Sequence, residues 1–192
     1  PQLVIGVGGY SSGPVVLVAA LRRIATLLLE QNAVPGFTNR RLAPFVSAAA
    51  VTFESTLSYC GGRGFGAGNP VRREFFDLAA AAPHDGPPRV LIFGGSQGAH
   101  AINVAMVEAA SRLAAHAGGL AVTHQTGERD VELVRDGYRR AGLEARVEPF
   151  IFAMEREMKA ADLVICRAGA TTLAELTAAG KPSLLVPLPT AA

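Results

Sequence analysis

An α/β fold made of two parallel sheets is predicted by three features of the 192-residue sequence. Short apolar runs and amphipathic stretches alternate almost without exception, an order that requires parallel strands joined by right-handed helical crossovers. Several apolar runs end in glycine-rich loops, as strands often do when a helix follows. Proline- and glycine-rich punctuation across 69–88 separates two such series. We therefore predict two domains, at residues 1–70 and 71–192.

In the first domain, strands are predicted at 3–7, 24–29, 48–53 and 64–67. The first of them, LVIGV, is apolar throughout, which is typical of a strand buried on both faces. Helices are predicted at 14–23 and 38–45. Pro14 fits the first turn of its helix, because a proline there removes only an N–H that would be unpaired anyway.

In the second domain, strands are predicted at 90–93, 120–123, 145–148, 162–166 and 183–186. Helices are predicted at about 97–116, 129–141 and 154–160, and a fourth ends at Gly180. Glycine favours the left-handed conformation that commonly terminates a helix. The alternation again predicts a parallel sheet with helices on both faces.

The stretch RVLIFGGSQGAHAIN, residues 89–103, is the first candidate site. A buried strand breaks into glycines, and the unpaired N–H groups of the next helix point back at the loop, which suits a phosphate. The Ser96 hydroxyl would add a donor, or Ser96 would simply cap the helix. The stretch is not a Walker loop, and no acidic residue follows the next strand as a dinucleotide fingerprint requires.

A second glycine loop, GGYSSGP, follows the first strand, and Glu30, Gln31 and Asn32 follow the second. Ligands bind at the carboxyl edge of open α/β sheets, so these three polar side chains predict a polar site. A plain turn, helped by Pro35 and Gly36, is the alternative.

The stretch RAGATTLAE, residues 167–175, repeats the order of strand, small residues and helix. Glu175 lies three residues after Thr172, a spacing that predicts a capping box. Alternatively, its two carboxylate oxygens accept from the two hydroxyls of a ribose. Arg167 would balance a phosphate or pair with a neighbouring acid. His124 and Gln125 are candidates to line the same pocket, although a lone histidine there is more often structural.

Composition excludes other classes of protein. With 49% hydrophobic and 18% charged residues the chain is globular, and a net charge of +2 without a basic stripe does not indicate nucleic-acid binding. Cys60 and Cys166 lie far apart without CxxC or clustered histidines, which predicts reduced thiols and no metal site. No apolar run is long enough to span a bilayer. The chain starts in one strand and stops just after another, so we expect a fragment of a larger enzyme.

Six motifs together resemble the MurG family of N-acetylglucosaminyltransferases of peptidoglycan synthesis. In chain order they are GVGGYSSGP, EQNAVPGFTNR, GNPVR, GGSQGAHAIN, HQTG and CRAGATTLAELTAAGKPSLLVP. The resemblance implies a GT-B fold with two Rossmann-like domains, both incomplete here. Residues 1–70 would be the C-terminal part of the acceptor and membrane-side domain. Residues 71–192 would be most of the UDP-sugar-binding domain.

The resemblance also implies roles for individual residues. The diphosphate would be held by the loop from Gly94 to Gly98, the uracil by the backbone at Ile151, and the ribose by Glu175. The donor side as a whole would comprise Arg72, Gly95, Ser96, Gln97, Gly98, Phe150, Ile151, Arg167, Ala170, Thr171 and Glu175. The acceptor side would comprise Gly8, Gly9, Tyr10, Ser11, Gly13, Glu30 and Asn32. The candidate catalytic base would lie outside this chain.

The activity implied is inverting transfer of N-acetylglucosamine from UDP-N-acetylglucosamine to lipid I, which gives lipid II. No cofactor, metal or nucleic acid is expected. The lipid acceptor implies a peripheral position on the cytoplasmic face of the cell membrane and a role in cell-wall growth, cell shape and division. We expect the isolated 192 residues to be inactive. The alternatives are another GT-B UDP-sugar transferase with a lipid or small-molecule acceptor, and a non-catalytic nucleotide-sugar-binding module.

Overall fold

The computed structural model describes residues 1–76, 84–115 and 119–188, which fall into two compact units. The first unit ends at Pro70 and the second begins at Val71. His116, the last residue of one predicted helix, lies outside the described residues.

The first unit is a four-stranded parallel sheet in which the strands follow one another in chain order. Its strands are β1 (Leu3–Gly6), β2 (Ala25–Glu30), β3 (Ala48–Val51) and β4 (Gly64–Gly66), and its helices are α1 (Ser12–Leu21) and α2 (Phe37–Leu42). A 3-10 turn, Glu54–Cys60, joins β3 to β4. The core of this unit is formed by Val16, Leu28, Leu42, Val46 and neighbouring residues.

The second unit is a five-stranded parallel sheet in the order β7-β6-β5-β8-β9. Its strands are β5 (Arg89–Phe93), β6 (Ala121–Gln125), β7 (Ala145–Glu148), β8 (Leu163–Arg167) and β9 (Ser183–Val186). Its helices are α3 (His100–Ala114), α4 (Val131–Ala141), α5 (Met154–Ala160) and α6 (Ala170–Ala179). Two 3-10 turns, Arg73–Phe75 and Glu128–Asp130, complete it.

The central strand β5 shows why this sheet is covered on both faces. Successive side chains of a strand point to opposite faces. Val90 and Ile92 pack into a cluster on the face of α3 and α4, and Leu91 and Phe93 into a second cluster on the other face. An apolar residue at each of the four positions 90–93 is therefore what this strand requires.

The predicted fold class is confirmed, because each unit is a parallel sheet with helical crossovers. Several boundaries differ. The third helix begins at His100 rather than near Gln97, and β2, β6 and β8 run on to include Glu30, Gln125 and Arg167. Cys60 and Cys166 are free thiols, as predicted, and both are buried. Among the described residues, no helix combines the length and apolarity needed to cross a membrane.

Candidate functional site

The candidate site lies at the carboxyl edge of the second sheet, where the strand order changes direction. From β5 the chain continues to β6 on one side, and it later returns to β8 on the other side of β5. The loops after β5 and β8 therefore diverge and leave a crevice between them. This is the position at which open α/β sheets bind their ligands.

The loop after β5 presents backbone donors to this crevice. Gly95 has a φ of 90°, and a turn is closed by the Gly98 amide, which donates to the Gly95 carbonyl at 2.9 Å. Within the described residues, the amides of Ser96 and Gln97 and the Ser96 hydroxyl have no hydrogen-bond partner. The alternative role of Ser96 as a helix cap is wrong, because α3 begins four residues later and its N-cap is Ala99.

Two glycines hold this loop against the loop after β6. A Cβ on Gly98 would lie 1.9 Å from the Thr126 carbonyl oxygen, and a Cβ on Gly127 would lie 2.5 Å from that of Gln97. Both glycines also have positive φ angles, which side-chain-bearing residues rarely adopt. The contact between the two loops therefore depends on glycine at both positions.

Gln125 connects the loop after β5 to the loop after β7. Its side-chain Nε2 donates to the Gly95 carbonyl at 2.9 Å, and its Oε1 accepts from the Ile151 amide at 2.9 Å. Gln125 is the last residue of β6, the strand between the two, and it is buried. The predicted strand end at residue 123 is two residues too early, because Gln125 still pairs with Glu148 in the sheet.

A buried polar network lies directly behind these loops. His124 Nε2 lies 3.0 Å from Asn103 Oδ1, and His124 Nδ1 lies 2.7 Å from the Tyr138 hydroxyl. Asn103 Nδ2 donates to the Thr126 carbonyl and to Asp130. Burial lowers the pKa of His124 to about 4, so the ring is neutral at physiological pH. His124 is thus a structural residue rather than a pocket residue.

Asp130 ends this network nearer the surface. Although burial alone would raise its pKa, hydrogen bonds from Asn103 and His100 hold the pKa of Asp130 below its usual range. His100 Nδ1 lies 2.9 Å from Asp130 Oδ2. The network therefore ties the first turn of α3 to the loop after β6.

The loop after β7 is the part of the crevice that, by the resemblance, would bind the uracil base; it is called the base-side loop. Ile151 is buried, and its amide is already engaged by Gln125. Phe150 is 42% exposed and makes an edge-to-face contact with Phe152, with the ring centroids 5.0 Å apart. The loop thus places one buried backbone unit beside two exposed aromatic rings.

Glu175 lies on α6, the helix that follows β8. Its side chain is 18% exposed, and Arg72 Nη2 approaches its Oε1 at 4.0 Å. Burial raises the pKa of Glu175, and the charge of Arg72 offsets part of that shift. Arg72 also stacks over the ring of Phe75 at 5.0 Å. Because the Glu175 carboxylate is only partly buried and its contact with Arg72 is long, it remains available to accept hydrogen bonds from a ligand.

The predicted capping box is wrong. Helix α6 begins at Ala170 with Gly169 as its N-cap, so Thr172 lies within the first turn and caps nothing. Ala170 and Thr171 are instead the first two residues of the helix, and their amides lack partners one turn earlier in the helix. Glu175 lies in the second turn.

Among the described residues, Arg167 pairs with no acidic side chain. Its Nη1 donates to the carbonyl oxygens of Pro187 at 3.0 Å and Val186 at 3.5 Å. Its side chain therefore fixes the end of β9 and the residues just after it.

The predicted acceptor residues of the first unit mostly surround one pocket of about 260 Å3. Gly8, Gly9, Tyr10, Glu30 and Asn32 line it. Ser11 and Gly13 do not. Gly13 lies in the first turn of α1, where a Cβ would approach the Thr38 methyl group at 3.2 Å.

Glu30 organises the wall of this pocket. Its Oε1 accepts from the amide and the side chain of Asn32, and its Oε2 accepts from the Gly36 amide and from Asn39 Nδ2, all at 2.9–3.1 Å. Four donors saturate a carboxylate, so Glu30 shapes the loop. The buried Asn39 Oδ1 has no partner among the described residues and lies close to Gly8.

Sequence reasoning did not select Asn39, Asn103 or the bridging role of Gln125. Asparagine and glutamine in a strand or helix carry no distinctive spacing. The only signal was their position in the motifs EQNAVPGFTNR, GGSQGAHAIN and HQTG.

The fold and the crevice together define an α/β protein with a phosphate-type loop at the switch point of a parallel sheet. The model of the glycosyltransferase family 28 C-terminal domain matches residues 89–192, and that of the N-terminal domain of the same family matches residues 1–51. The chain belongs to glycosyltransferase family 28.

Curated proteins with similar sequences share one enzyme name. A UDP-N-acetylglucosamine--N-acetylmuramyl-(pentapeptide) pyrophosphoryl-undecaprenol N-acetylglucosamine transferase of Anaeromyxobacter sp. (strain Fw109-5) is 54% identical over 100% of this chain and 51% of its own length. The protein of the same name from Syntrophus aciditrophicus is 48% identical over 98% of this chain and 53% of its own length. The chain thus spans about half the length of the curated relatives it matches.

Solved structures with a similar fold include one of the same enzyme family. The crystal structure of Acinetobacter baumannii MurG matches with a TM-score of 0.77 and 37% identity, over 99% of this chain and 54% of that one. A UDP-GlcNAc 2-epimerase from Neisseria meningitidis matches with a TM-score of 0.66 and 13% identity, which shows a shared fold alone. The resemblance to the MurG family and the GT-B fold class predicted from it are both confirmed.

Proposed function

We propose that this protein transfers N-acetylglucosamine from UDP-N-acetylglucosamine to lipid I, with inversion, to form lipid II. The single observation that carries this proposal is the crevice between β5 and β8, because it combines a loop of unpaired amides with a half-buried carboxylate on the neighbouring helix. These are the groups that a diphosphate and a ribose require. The relatives that share the surrounding sequence bear the name of this activity.

The diphosphate is proposed to bind at the loop from Gly94 to Gly98. Backbone amides and the Ser96 hydroxyl donate to its oxygens, and the N-terminal amides of α6, at Ala170 and Thr171, face the same crevice. During transfer the acceptor's C4 oxygen bonds to the anomeric carbon as its proton passes to a general base, and the bond to UDP breaks with its electron pair on the diphosphate. The negative charge that then develops on the leaving diphosphate is stabilised by donors already fixed in place.

The ribose is proposed to bind Glu175. Its carboxylate offers acceptors to both hydroxyls, and the long 4.0 Å contact with Arg72 is readily replaced. Arg72 is then free to approach the charge of the donor. The uracil is proposed to contact the backbone at Ile151 beside Phe150, and Arg167 supports the segment after β9 from below the same site.

The acceptor is proposed to bind the first unit. The pocket bounded by Gly8, Gly9 and Asn32 is supported for this role by its position at the carboxyl edge of the sheet and by the unpaired Asn39 Oδ1. A peripheral position on the cytoplasmic face of the membrane follows from a lipid acceptor. The exposed apolar residues Val15 and Leu21 of α1, followed by Arg22 and Arg23, would suit such a surface.

The ribose contact gives a selective test of the donor site. Wild-type protein should bind UDP more tightly than 2′-deoxy-UDP by about tenfold, since a carboxylate acceptor for a hydroxyl contributes about 1.5–3 kcal/mol. Glu175→Ala should bind both nucleotides equally and more weakly. An NMR titration measures both affinities.

The exposed Glu144 provides the control, because Glu144→Ala removes a surface carboxylate of the same unit and should leave the preference intact. A preference for UDP that survives in Glu175→Ala would exclude the proposed ribose contact. For the reaction itself, the protein at its native length should transfer labelled N-acetylglucosamine to a lipid I analogue. Replacing Ser96 and Glu175 together by alanine should abolish that transfer.

A further inference from the structure

Gln125 connects two loops of the candidate site through its side chain. It is the last residue of β6, which lies between β5 and β7 in the sheet, and its side chain reaches the loops that follow both neighbours. One loop is the proposed diphosphate site and the other is the proposed base site. A single buried amide therefore connects two places that would bind opposite ends of one nucleotide.

The chemistry of the bridge requires a neutral amide. At Gly95 the partner is a carbonyl oxygen, so the side chain must donate, and at Ile151 the partner is an N–H, so it must accept. Glutamine does both. A carboxylate would accept from Ile151 but repel the Gly95 carbonyl. An apolar side chain would leave the buried Ile151 amide without a partner, and the Gly95 carbonyl would keep only its hydrogen bond from the Gly98 amide.

Both loops have backbone anchors of their own that do not involve Gln125. The Thr126 and Gly127 amides donate to the carbonyls of Glu148 and Pro149, and Gly98 packs directly on the Thr126 carbonyl. These contacts hold the loops at their bases. Losing the Gln125 bridge would therefore release the loop tips at Gly95 and Ile151 without detaching either loop from the sheet.

We propose that Gln125 is a positioning residue that sets the spacing between the phosphate loop and the base-side loop, so that both engage one nucleoside diphosphate. This inference rests on the proposed function of the crevice. If Gln125 has this role, replacing it should weaken binding of the whole nucleotide more than binding of the nucleoside alone or of the diphosphate alone.

The test compares three probes by NMR titration of the 192-residue chain: UDP, uridine and inorganic pyrophosphate. In Gln125→Met and Gln125→Glu, the affinity for UDP should fall about tenfold, as expected when one or two buried hydrogen bonds are lost. The affinities for uridine and pyrophosphate should each fall by less than about threefold, because each half contacts only one loop. Lowering the pH should restore UDP affinity in Gln125→Glu relative to wild type at the same pH, since a protonated carboxyl can again donate to Gly95.

Lys181→Met is the matched control. Lys181 Nζ also makes two hydrogen bonds to backbone carbonyls of the second unit, those of Lys159 and Ala161, but it contacts neither loop. This variant should lose stability and keep its affinity for UDP.

The possible outcomes separate the two proposals. Wild-type chain that binds UDP, together with Gln125 variants that bind it equally well, would overturn the positioning role alone. Equal losses for UDP and uridine in the variants would also overturn it, because they would indicate general loosening. Wild-type chain that binds no UDP would overturn the proposed function and this inference with it.

Discussion

His124, a single residue behind the candidate site, should make the stability of the second unit depend on pH. Its ring is fully buried between Asn103 Oδ1 and the Tyr138 hydroxyl. The amide oxygen only accepts, so Nε2 carries the hydrogen and Nδ1 accepts from Tyr138. A protonated ring would present a second hydrogen toward the tyrosine and a charge to the core. The folded state therefore disfavours protonation.

This burial predicts a pH-dependent loss of stability. The pKa of His124 falls from 6.5 to about 4 on folding, so the unfolded chain binds a proton between these values and the folded chain does not. The free energy of unfolding should be unaffected by His124 above pH 6.5 and should fall by up to ~3 kcal/mol as the pH drops toward 4. Hydrogen exchange at the amides of β5 and β6 measures this dependence.

Two histidine variants sharpen the measurement. His124→Gln keeps a donor and an acceptor but cannot be protonated, so most of the pH dependence between 6.5 and 4 should disappear. His100→Gln, at a half-exposed position, should retain it. A pH dependence that is the same in His124→Gln and wild type would contradict the assignment.

At the scale of elements, the short segment Val71–Phe76 is an integral part of the second unit. Its 3-10 turn Arg73–Phe75 packs on α5 and α6, and Phe75 is completely buried among Leu91, Met158 and Leu176. The same turn carries Arg72 over the Phe75 ring and toward Glu175. Anchoring of the turn and placement of Arg72 thus depend on one side chain.

Phe75→Ala should accordingly lower the free energy of unfolding of the second unit by about 3–5 kcal/mol, the cost of an aromatic-sized cavity. Its neighbour Phe76 is 62% exposed, so Phe76→Ala should change the free energy of unfolding by less than about 0.5 kcal/mol. Hydrogen exchange at the amides of β5 and β8 compares the two variants. Similar effects at both positions would show that Phe75 does not anchor the turn.

The elements also show what the sequence could predict. A buried strand such as β5 was predictable, because its four consecutive buried residues, 90–93, are all apolar. The start of α3 was not, because a turn closed between Gly95 and Gly98 keeps three more residues out of the helix. Spacing alone favoured a capping box at Thr172, but the helix starts two residues earlier. The Gln125 bridge depends on the order of three strands, which no local pattern contains.

At the scale of the whole molecule, the residues proposed for the donor side all belong to one unit. Both core clusters of that unit lie between Val71 and Val186. The acceptor-side residues belong to the other unit, which has a core of its own. Each unit therefore has its own hydrophobic core and contains all the residues of one proposed site.

Residues 71–192, produced alone, should fold and bind UDP with an affinity within about threefold of that of the 192-residue chain, a difference below 0.7 kcal/mol. Residues 1–70 should show no UDP binding. Titration of each piece with UDP, after its fold has been checked by NMR, makes the comparison. A folded second unit that fails to bind would show that the first unit contributes to the donor site.

The crevice draws on residues that are remote along the chain. Gly95, Gln125, Ile151 and Glu175 lie at the end of, or after, four different strands, so no partial assembly of the sheet can present them together. A nucleotide whose binding depends on all four should therefore bind only the completed unit, and by mass action it should raise the melting temperature of that unit as a whole. A nucleotide bound in the crevice would thus report that folding of the unit is complete, and it would protect newly made chains from unfolding.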